Sequence, residues 1–199
     1  MPSAAILGGG RATRLGGRDK SALLVGGRSI LDRQVAELSK VTDDIVLVGA
    51  AAGGIETPNE LLRTVPDRVP DRGPLGGLDA ALAAARDDEV FVVACDMPFV
   101  TAALVQYLLT LAAGYDIVVP RTNGRYHPLC SIYRRTCAAT VTRRLAAGEL
   151  AMLGLFEGLR VRTVTGEELD AVGDRDRLLV NVNTPAEYGE LESLQGHRR

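Results

Sequence analysis

The segment Leu7-Gly-Gly-Gly-Arg-Ala-Thr-Arg-Leu-Gly-Gly-Arg-Asp-Lys20 concentrates chemistry suited to a polyphosphate. Gly8, Gly9 and Gly10 let backbone N–H groups close on an anion and adopt angles that side chains forbid. Arg11, Arg14 and Lys20 add positive charge. An arginine chelates phosphate oxygens through two parallel hydrogen bonds, whereas lysine acts as a point charge. Two common phosphate loops do not fit. No Gly-Lys-Ser/Thr follows a Gly with four intervening residues, so this is not a P-loop. Thr13 stands where a dinucleotide fingerprint needs its third Gly. The competing reading is a glycine-rich turn with solvated charges, and the length of the loop and its basic offsets weigh against it.

A second chemical signal is Val90-Phe-Val-Val-Ala-Cys-Asp96-Met-Pro-Phe99, which puts a carboxylate at the end of a buried strand. Open α/β sheets bind ligands at that edge. One carboxylate there suffices for Mg²⁺ when phosphate oxygens and water complete the shell. Otherwise Asp96 caps a turn. In Asp67-Arg-Val-Pro-Asp71-Arg-Gly-Pro-Leu-Gly-Gly77 a tight loop precedes a helix N-terminus, and either Asp67 or Asp71 is placed to meet ribose or base. His127 is the one internal histidine and reads first as a hydrogen-bonded structural residue. Asn181 and Asn183 stand two apart, so on a strand they share a face toward metal-bound phosphates or an acceptor.

Positioning these groups takes alternating strands and helices. Ala4–Leu7, Ile45–Val48, Val90–Cys95 and Asp116–Pro120 read as strands, three of them nearly continuous apolar runs as expected for burial on both faces. Helical patterns fall near Ile30–Ser39, with Leu31, Val35 and Leu38 on one face, and over Gly77–Ala85, Thr101–Ala113 and Arg134–Ala147. Tyr126–Tyr133 has strand character suited to antiparallel pairing, and Val161–Val164 and Leu178–Val182 read as further strands. Thr57-Pro58-Asn59-Glu60 and Thr184-Pro185-Ala186-Glu187 carry the capping-box signature of two more helices. The expected fold is α/β, a three-layer, Rossmann-like, mostly parallel sheet flanked by helices, with antiparallel pairing in the C-terminal half. One domain over residues 1–194 is expected, with 195–199 frayed.

Composition narrows the class. Apolar residues make up 46% and charged residues 24% of 199, ordinary for a folded protein. A net charge of −2 argues against general nucleic-acid binding. Cys95, Cys130 and Cys137 form no CxxC pair and, with two histidines in the chain, suggest neither a zinc site nor a disulfide framework. No apolar run reaches membrane-span length and no signal-peptide pattern opens the chain, so a cytoplasmic enzyme is expected.

Taken together these motifs resemble the molybdenum-cofactor guanylyltransferases, the MobA-like branch of the glycosyltransferase-A-like nucleotidyltransferases. Leu7–Lys20 is similar to that family's LAGGxSxRMGxDK loop, and Gly73-Pro74-Leu75-Gly76-Gly77, Asp96-Met97-Pro98, His127-Pro128 and Asn181-Val182-Asn183-Thr184-Pro185 follow in the family's order. The resemblance spans about residues 3–192. It implies that Leu7, Gly8 and Gly9, with Gly10, hold the nucleotide through backbone atoms. It also implies that Arg14 and Lys20 hold phosphates, Asp67 contacts the nucleoside, Asp96 ligates Mg²⁺, and Asn181 and Asn183 line the acceptor side. The implied catalytic set is Lys20, Arg14 and Asp96. The implied substrates are GTP and the molybdopterin phosphate, with transient contact to other molybdenum-cofactor proteins. Gly8 for the usual Ala and Leu15 for Met are mild departures; Gly49 stands where some members carry Asn, one side-chain contact to the nucleotide fewer. The alternatives are a cytidylyltransferase on the same cofactor, another small-acceptor nucleotidyltransferase, and a non-catalytic nucleotide-binding regulator.

Overall fold

The computed structural model describes residues 1–8, 24–25, 28–49, 61–182 and 187. In chain order the elements are β1 (Ser3–Leu7), β2 (Leu24–Val25), β3 (Arg28–Ser29), α1 (Ile30–Leu38), β4 (Ile45–Val48), β5 (Leu62–Val65), α2 (Gly73–Ala84), β6 (Glu89–Ala94), α3 (Ala102–Thr110), β7 (Ile117–Thr122), β8 (Arg125–Tyr126), β9 (Cys130–Arg134), α4 (Ala138–Ala147), β10 (Val161–Thr165), α5 (Gly166–Asp170) and α6 (Arg175–Leu178). Eight strands form one mixed sheet in the order β10-β7-β9-β6-β1-β4-β5, with β8 hydrogen-bonded to β7. β1 pairs in parallel with both β4 and β6, and β4 in parallel with β5. β9 runs antiparallel between β6 and β7, which is the expected antiparallel pairing in the C-terminal half.

The strands read as unbroken apolar runs because both faces of the sheet are covered. Ala4 and Ile6 of β1 and Phe91 and Val93 of β6 face one core with Leu31, Val35 and Leu38 of α1 and Leu104, Val105 and Leu108 of α3. Ala5, Leu7, Val90 and Val92 face the other, with Leu75, Leu78 and Leu82 of α2 and Val141 and Leu145 of α4. The result is three layers. Helix starts follow local chemistry: Ser29 and Asp32 form a capping box on α1, and the Thr101 hydroxyl accepts from the Leu104 N–H at 3.2 Å on α3.

Several sequence expectations are corrected. Leu178–Val182 is not a strand. The Asp174 carboxylate accepts from the N–H groups of Asp176 and Arg177 and starts the one-turn helix α6, and Leu178, Leu179 and Val182 are buried by core packing rather than by sheet pairing. Tyr126–Tyr133 is not one strand. It divides into β8 and β9 at His127-Pro128, and an Asn123-Gly124 turn with φ of 50° and 78° joins β7 to β8. The helix expected from Arg134 starts only at Ala138, after a 3₁₀ turn over Arg135–Cys137. α2 begins at Gly73, four residues ahead of expectation, with Pro74 in its first turn. The helices expected at Thr57 and Thr184 and the tail 195–199 lie outside the described residues. Cys130 and Cys137 are fully buried free thiols, each pushed up to about 12 by that burial, which fits small core residues. No helix among the described residues is long and apolar enough to cross a membrane.

The amino edge of the sheet is tied by one buried carboxylate. Asp44, 1% exposed, accepts from the Ser3 hydroxyl at 2.7 Å, Arg63 Nε at 3.1 Å and the Arg86 N–H at 3.0 Å. It thereby joins β1, the start of β4, β5 and the turn before β6. Burial pushes this carboxyl up, but the Ser3, Arg86 and Arg63 bonds outweigh it and hold it below the ordinary 3.8. Its stabilisation is therefore complete above that ordinary value and is lost as pH falls through the lowered one. Asp44→Ala should lower the unfolding free energy in urea at neutral pH by about 3–5 kcal/mol, and should flatten the acid limb of the stability profile.

Candidate active site at the carboxyl edge of the sheet

The parallel register brings four strand ends into line. Leu7 pairs with Val48 on one side and Ala94 on the other, and Val48 pairs with Val65. The residues that follow them, Gly8, Gly49, Asp67 and Asp96, therefore leave the sheet at the same edge. This is where ligands of open α/β sheets bind, between β1 and β6 where the chain order reverses. The Gly8 N–H donates to Val48 O at 2.8 Å, and the Gly49 N–H to Val65 O at 3.0 Å. A Cβ on Gly8 would lie 3.3 Å from both Leu47 Cδ1 and Val48 O, so the methyl of the more usual Ala would press on β4. Gly49 has φ of 81°, a left-handed angle that glycine adopts freely and asparagine tolerates. α2 starts at this edge and packs against Leu7: a Cβ on Gly77 would meet Leu7 Cδ1 at 3.3 Å. The Arg72 side chain makes no capping bond to α2, so the first-turn N–H groups have no side-chain acceptor from that cap position.

Asp96 sits half-buried on a turn gripped from several sides. The Cys95 N–H donates to Leu7 O at 3.1 Å. Gln34, reaching from α1 and 1% exposed, donates its amide to Ala94 O at 2.8 Å and Met97 O at 3.0 Å. The Val182 N–H donates to Asp96 O at 2.8 Å, and Val182, Phe99 and Ile30 form a small separate core beneath. That bond holds the segment carrying Asn181 against the Asp96 turn. Among the described residues no group of three or more His, Cys, Asp or Glu is arranged to hold a metal ion. A single hard carboxylate is the donor set that Mg²⁺ takes when phosphates and water supply the rest, so Asp96 fits that ion.

Beside Asp96 lies a cleft of about 480 Å³ lined by Met97, Thr122, Arg125, His127, Arg175 and Asn181 among others. His127 is fixed through its backbone, with its N–H to Pro120 O at 2.9 Å and its carbonyl accepting from the Ser131 hydroxyl at 2.8 Å, and its Nε2 lies 2.8 Å from Thr122 Oγ1. Burial, helped by nearby Arg125, lowers its pKa below the ordinary 6.5. A neutral ring shaping a wall is consistent with the structural reading. Asn181 is exposed beside this cleft. Asp67 is half-buried after β5, and desolvation raises its carboxyl. Asp71 adopts φ of 58° further along the same loop.

The structure thus brings Leu7, Gly8, Asp67, Asp96 and Asn181 to one edge. Gly9, Gly10, Arg14, Lys20 and Asn183 lie outside the described residues. Gln34, Arg125 and Arg175 are neighbours of the site that sequence reasoning passed over. Gln34 sits at an inward position of an amphipathic helix, and a buried amide there was the available signal.

A mixed, mostly parallel sheet flanked by helices, with Gly8 and acidic strand ends gathered at its carboxyl edge, has the nucleotide-diphospho-sugar transferase fold of the nucleotidyltransferases. Residues 4–163 match the MobA-like NTP transferase domain, and the chain belongs to that family. It is 35% identical over 197 residues to a probable molybdenum cofactor guanylyltransferase of Pelotomaculum thermopropionicum, covering 98% of this chain and 93% of that one. It is 32% identical over 189 residues to the molybdenum cofactor guanylyltransferase of Desulfosudis oleivorans, covering 94% and 93%. In fold it is similar to the crystal structure of molybdopterin-guanine dinucleotide biosynthesis protein A from Archaeoglobus fulgidus, with a TM-score of 0.78, 24% identity and coverage of 98% and 99%.

Removing the Gln34 amide would take the side-chain donor from Met97 O and leave Ala94 O with the longer bond from the Met97 N–H at 3.3 Å. Gln34→Leu should cost about 1–3 kcal/mol in urea unfolding. It should also speed hydrogen exchange at the Val182 amide, which rests on the same turn.

Proposed function

We propose that this chain is a molybdenum-cofactor guanylyltransferase, which transfers GMP from GTP to the terminal phosphate of the molybdopterin cofactor and releases pyrophosphate. The observation that carries the reading is the in-register edge on which Gly8, Asp67 and Asp96 emerge, with a cleft running from Met97 to Asn181 beside it. The names of the relatives that cover nearly the whole chain support the guanylyl and molybdenum-cofactor assignments.

In this reading backbone atoms of Leu7, Gly8, Gly9 and Gly10 hold the nucleotide, Asp67 accepts from its ribose or base, and Arg14 and Lys20 bind the phosphates. Asp96 would hold Mg²⁺, which supplies neutralisation of triphosphate charge. The acceptor lies in the cleft beside Asn181, with Asn183, and Arg125 and Arg175 offset its phosphate charge. An oxygen of the acceptor phosphate attacks the α-phosphorus in line. The bond from that phosphorus to the oxygen bridging to the β-phosphate breaks, and pyrophosphate carries the electron pair away. A phosphate monoester is already an anionic nucleophile, so the chain needs no strong general base, and His127 is not given that role. Catalysis is positioning and charge neutralisation.

Asp96→Ala should cut Mg²⁺-dependent pyrophosphate release from GTP and acceptor by at least about a hundredfold, with the melting temperature retained, because it removes a preorganised charge from the reacting centre. Full turnover in that variant would remove Asp96 from the metal role. Lys20→Ala should weaken GTP affinity more than GMP affinity in calorimetric titration; an equal loss for both would place Lys20 away from the β- and γ-phosphates.

A further inference from the structure

α2 carries one charge that its packing does not require. Its buried residues are small or apolar, except Asp79, whose side chain is 7% exposed. The carboxylate has a partner on each oxygen. Arg68 Nη1 donates to Oδ2 at 3.1 Å, and the Thr142 hydroxyl on α4 donates to Oδ1 at 3.3 Å. Around it α2 and α4 bring Leu78, Leu82, Val141 and Leu145 into one apolar core. An ionised carboxylate in such surroundings is costly unless paired.

Arg68 is the residue after Asp67, on the loop that leaves β5 at the carboxyl edge. That loop folds back on the helix it feeds. Asp71 and Gly73 both take φ of 58°, and a Cβ on Gly76 would lie 2.9 Å from Arg72 Cβ and 3.3 Å from Val69 O, so loop and first turn touch through a glycine. The Arg68–Asp79 pair ties the start of the same loop to the next turn of α2, and Thr142 fixes the carboxylate that receives it.

We propose that Asp79 is a positioning residue for nucleotide binding: through Arg68 it fixes the loop that presents Asp67 to the nucleoside, and so sets nucleotide affinity without touching the nucleotide. The inference rests on the reading that Asp67 contacts the nucleoside. Because Arg68 is bonded in sequence to Asp67 and neither Arg68 nor Asp79 lines the cleft beside Asp96, loss of the pair moves KM for GTP and leaves kcat in place.

The test is a cycle on the full-length protein with Mg²⁺ and GTP, measuring KM, kcat and melting temperature. Arg68→Ala and Asp79→Asn should each raise KM on the order of tenfold, the scale on which small displacements of a binding group act, with kcat within about twofold, and Asp67→Ala should raise KM at least as much. Arg68→Lys should restore part of the affinity. Arg68→Ala added to Asp67→Ala should raise KM no further, since the pair acts only through Asp67. Arg68 is 57% exposed, so its alanine variant opens no core cavity; the melting temperature reads the cost of leaving Asp79 unpaired, and Arg68→Lys, which keeps the charge, carries the test if Arg68→Ala does not fold. A KM unchanged in Arg68→Ala but raised in Asp67→Ala overturns this proposal alone, as does a full further increase in the double variant. A KM unchanged in Asp67→Ala overturns the nucleoside reading and this proposal with it.

Discussion

Parallel pairing of β1 with β4 and β6 is the constraint from which the rest of the site follows. In parallel neighbours the strand ends emerge on the same side, so the register that pairs Leu7 with Val48 and Ala94 also sets where Gly8, Gly49 and Asp96 begin. The register itself is held by the cores. Ile6 and Val93 face one layer of helices, Leu7 and Val92 the other, and a slip of one residue would turn every side chain to the wrong face. Asp44 secures the opposite edge by drawing β1, β4, β5 and the turn before β6 onto one carboxylate. The site is thus the free end of a sheet clamped at its other end.

On that edge the two acidic loops are supported differently. The Asp96 turn is held by backbone carbonyls that accept from Gln34 and from Val182, with a small apolar cluster below. The Asp67 loop rests on the ion pair of Arg68 with Asp79 and on the close approach that Gly76 permits. Both devices hold the turn that presents a pair of carboxylate oxygens, one through backbone carbonyls and the other through the neighbouring residue. In the proposed reaction this matters, because those oxygens must serve a metal or a nucleoside while the turns beneath them stay still.

Much of this was legible from residue order. The apolar runs marked β1, β4, β6 and β7, and the placement of Asp96 after one of them led directly to the carboxyl edge. β5 was missed because Leu62-Arg-Thr-Val is short, partly polar and partly exposed at the margin of the sheet, so it lacks the apolar run that betrays a central strand. Leu178–Val182 misled for the opposite reason: its apolar residues are buried, but Asp174 turns the chain into helix, and among the described residues no strand pairs with it. The Asn123-Gly124 hairpin signal stood in the sequence and would have paired β8 with β7, and Pro128 marked the break between β8 and β9. The inward position of Gln34 on α1 was legible, but its partners were not, and nor were those of Asp79. Their partners lie 60 and 63 residues away for Gln34, and 11 and 63 away for Asp79, and no local pattern announces contacts of that range.

The claim that this edge is a guanylyl-transfer site is tested most directly by titrating the protein with GTP, CTP, ATP and UTP in the presence of Mg²⁺ and following the melting temperature, which a ligand of the native state raises by mass action. Saturable stabilisation by GTP, well above that by the other three, is the result the account predicts. Stabilisation led by CTP or ATP would keep the edge as a nucleotide site but contradict the guanylyl assignment, and no stabilisation by any of the four would contradict the account at its root.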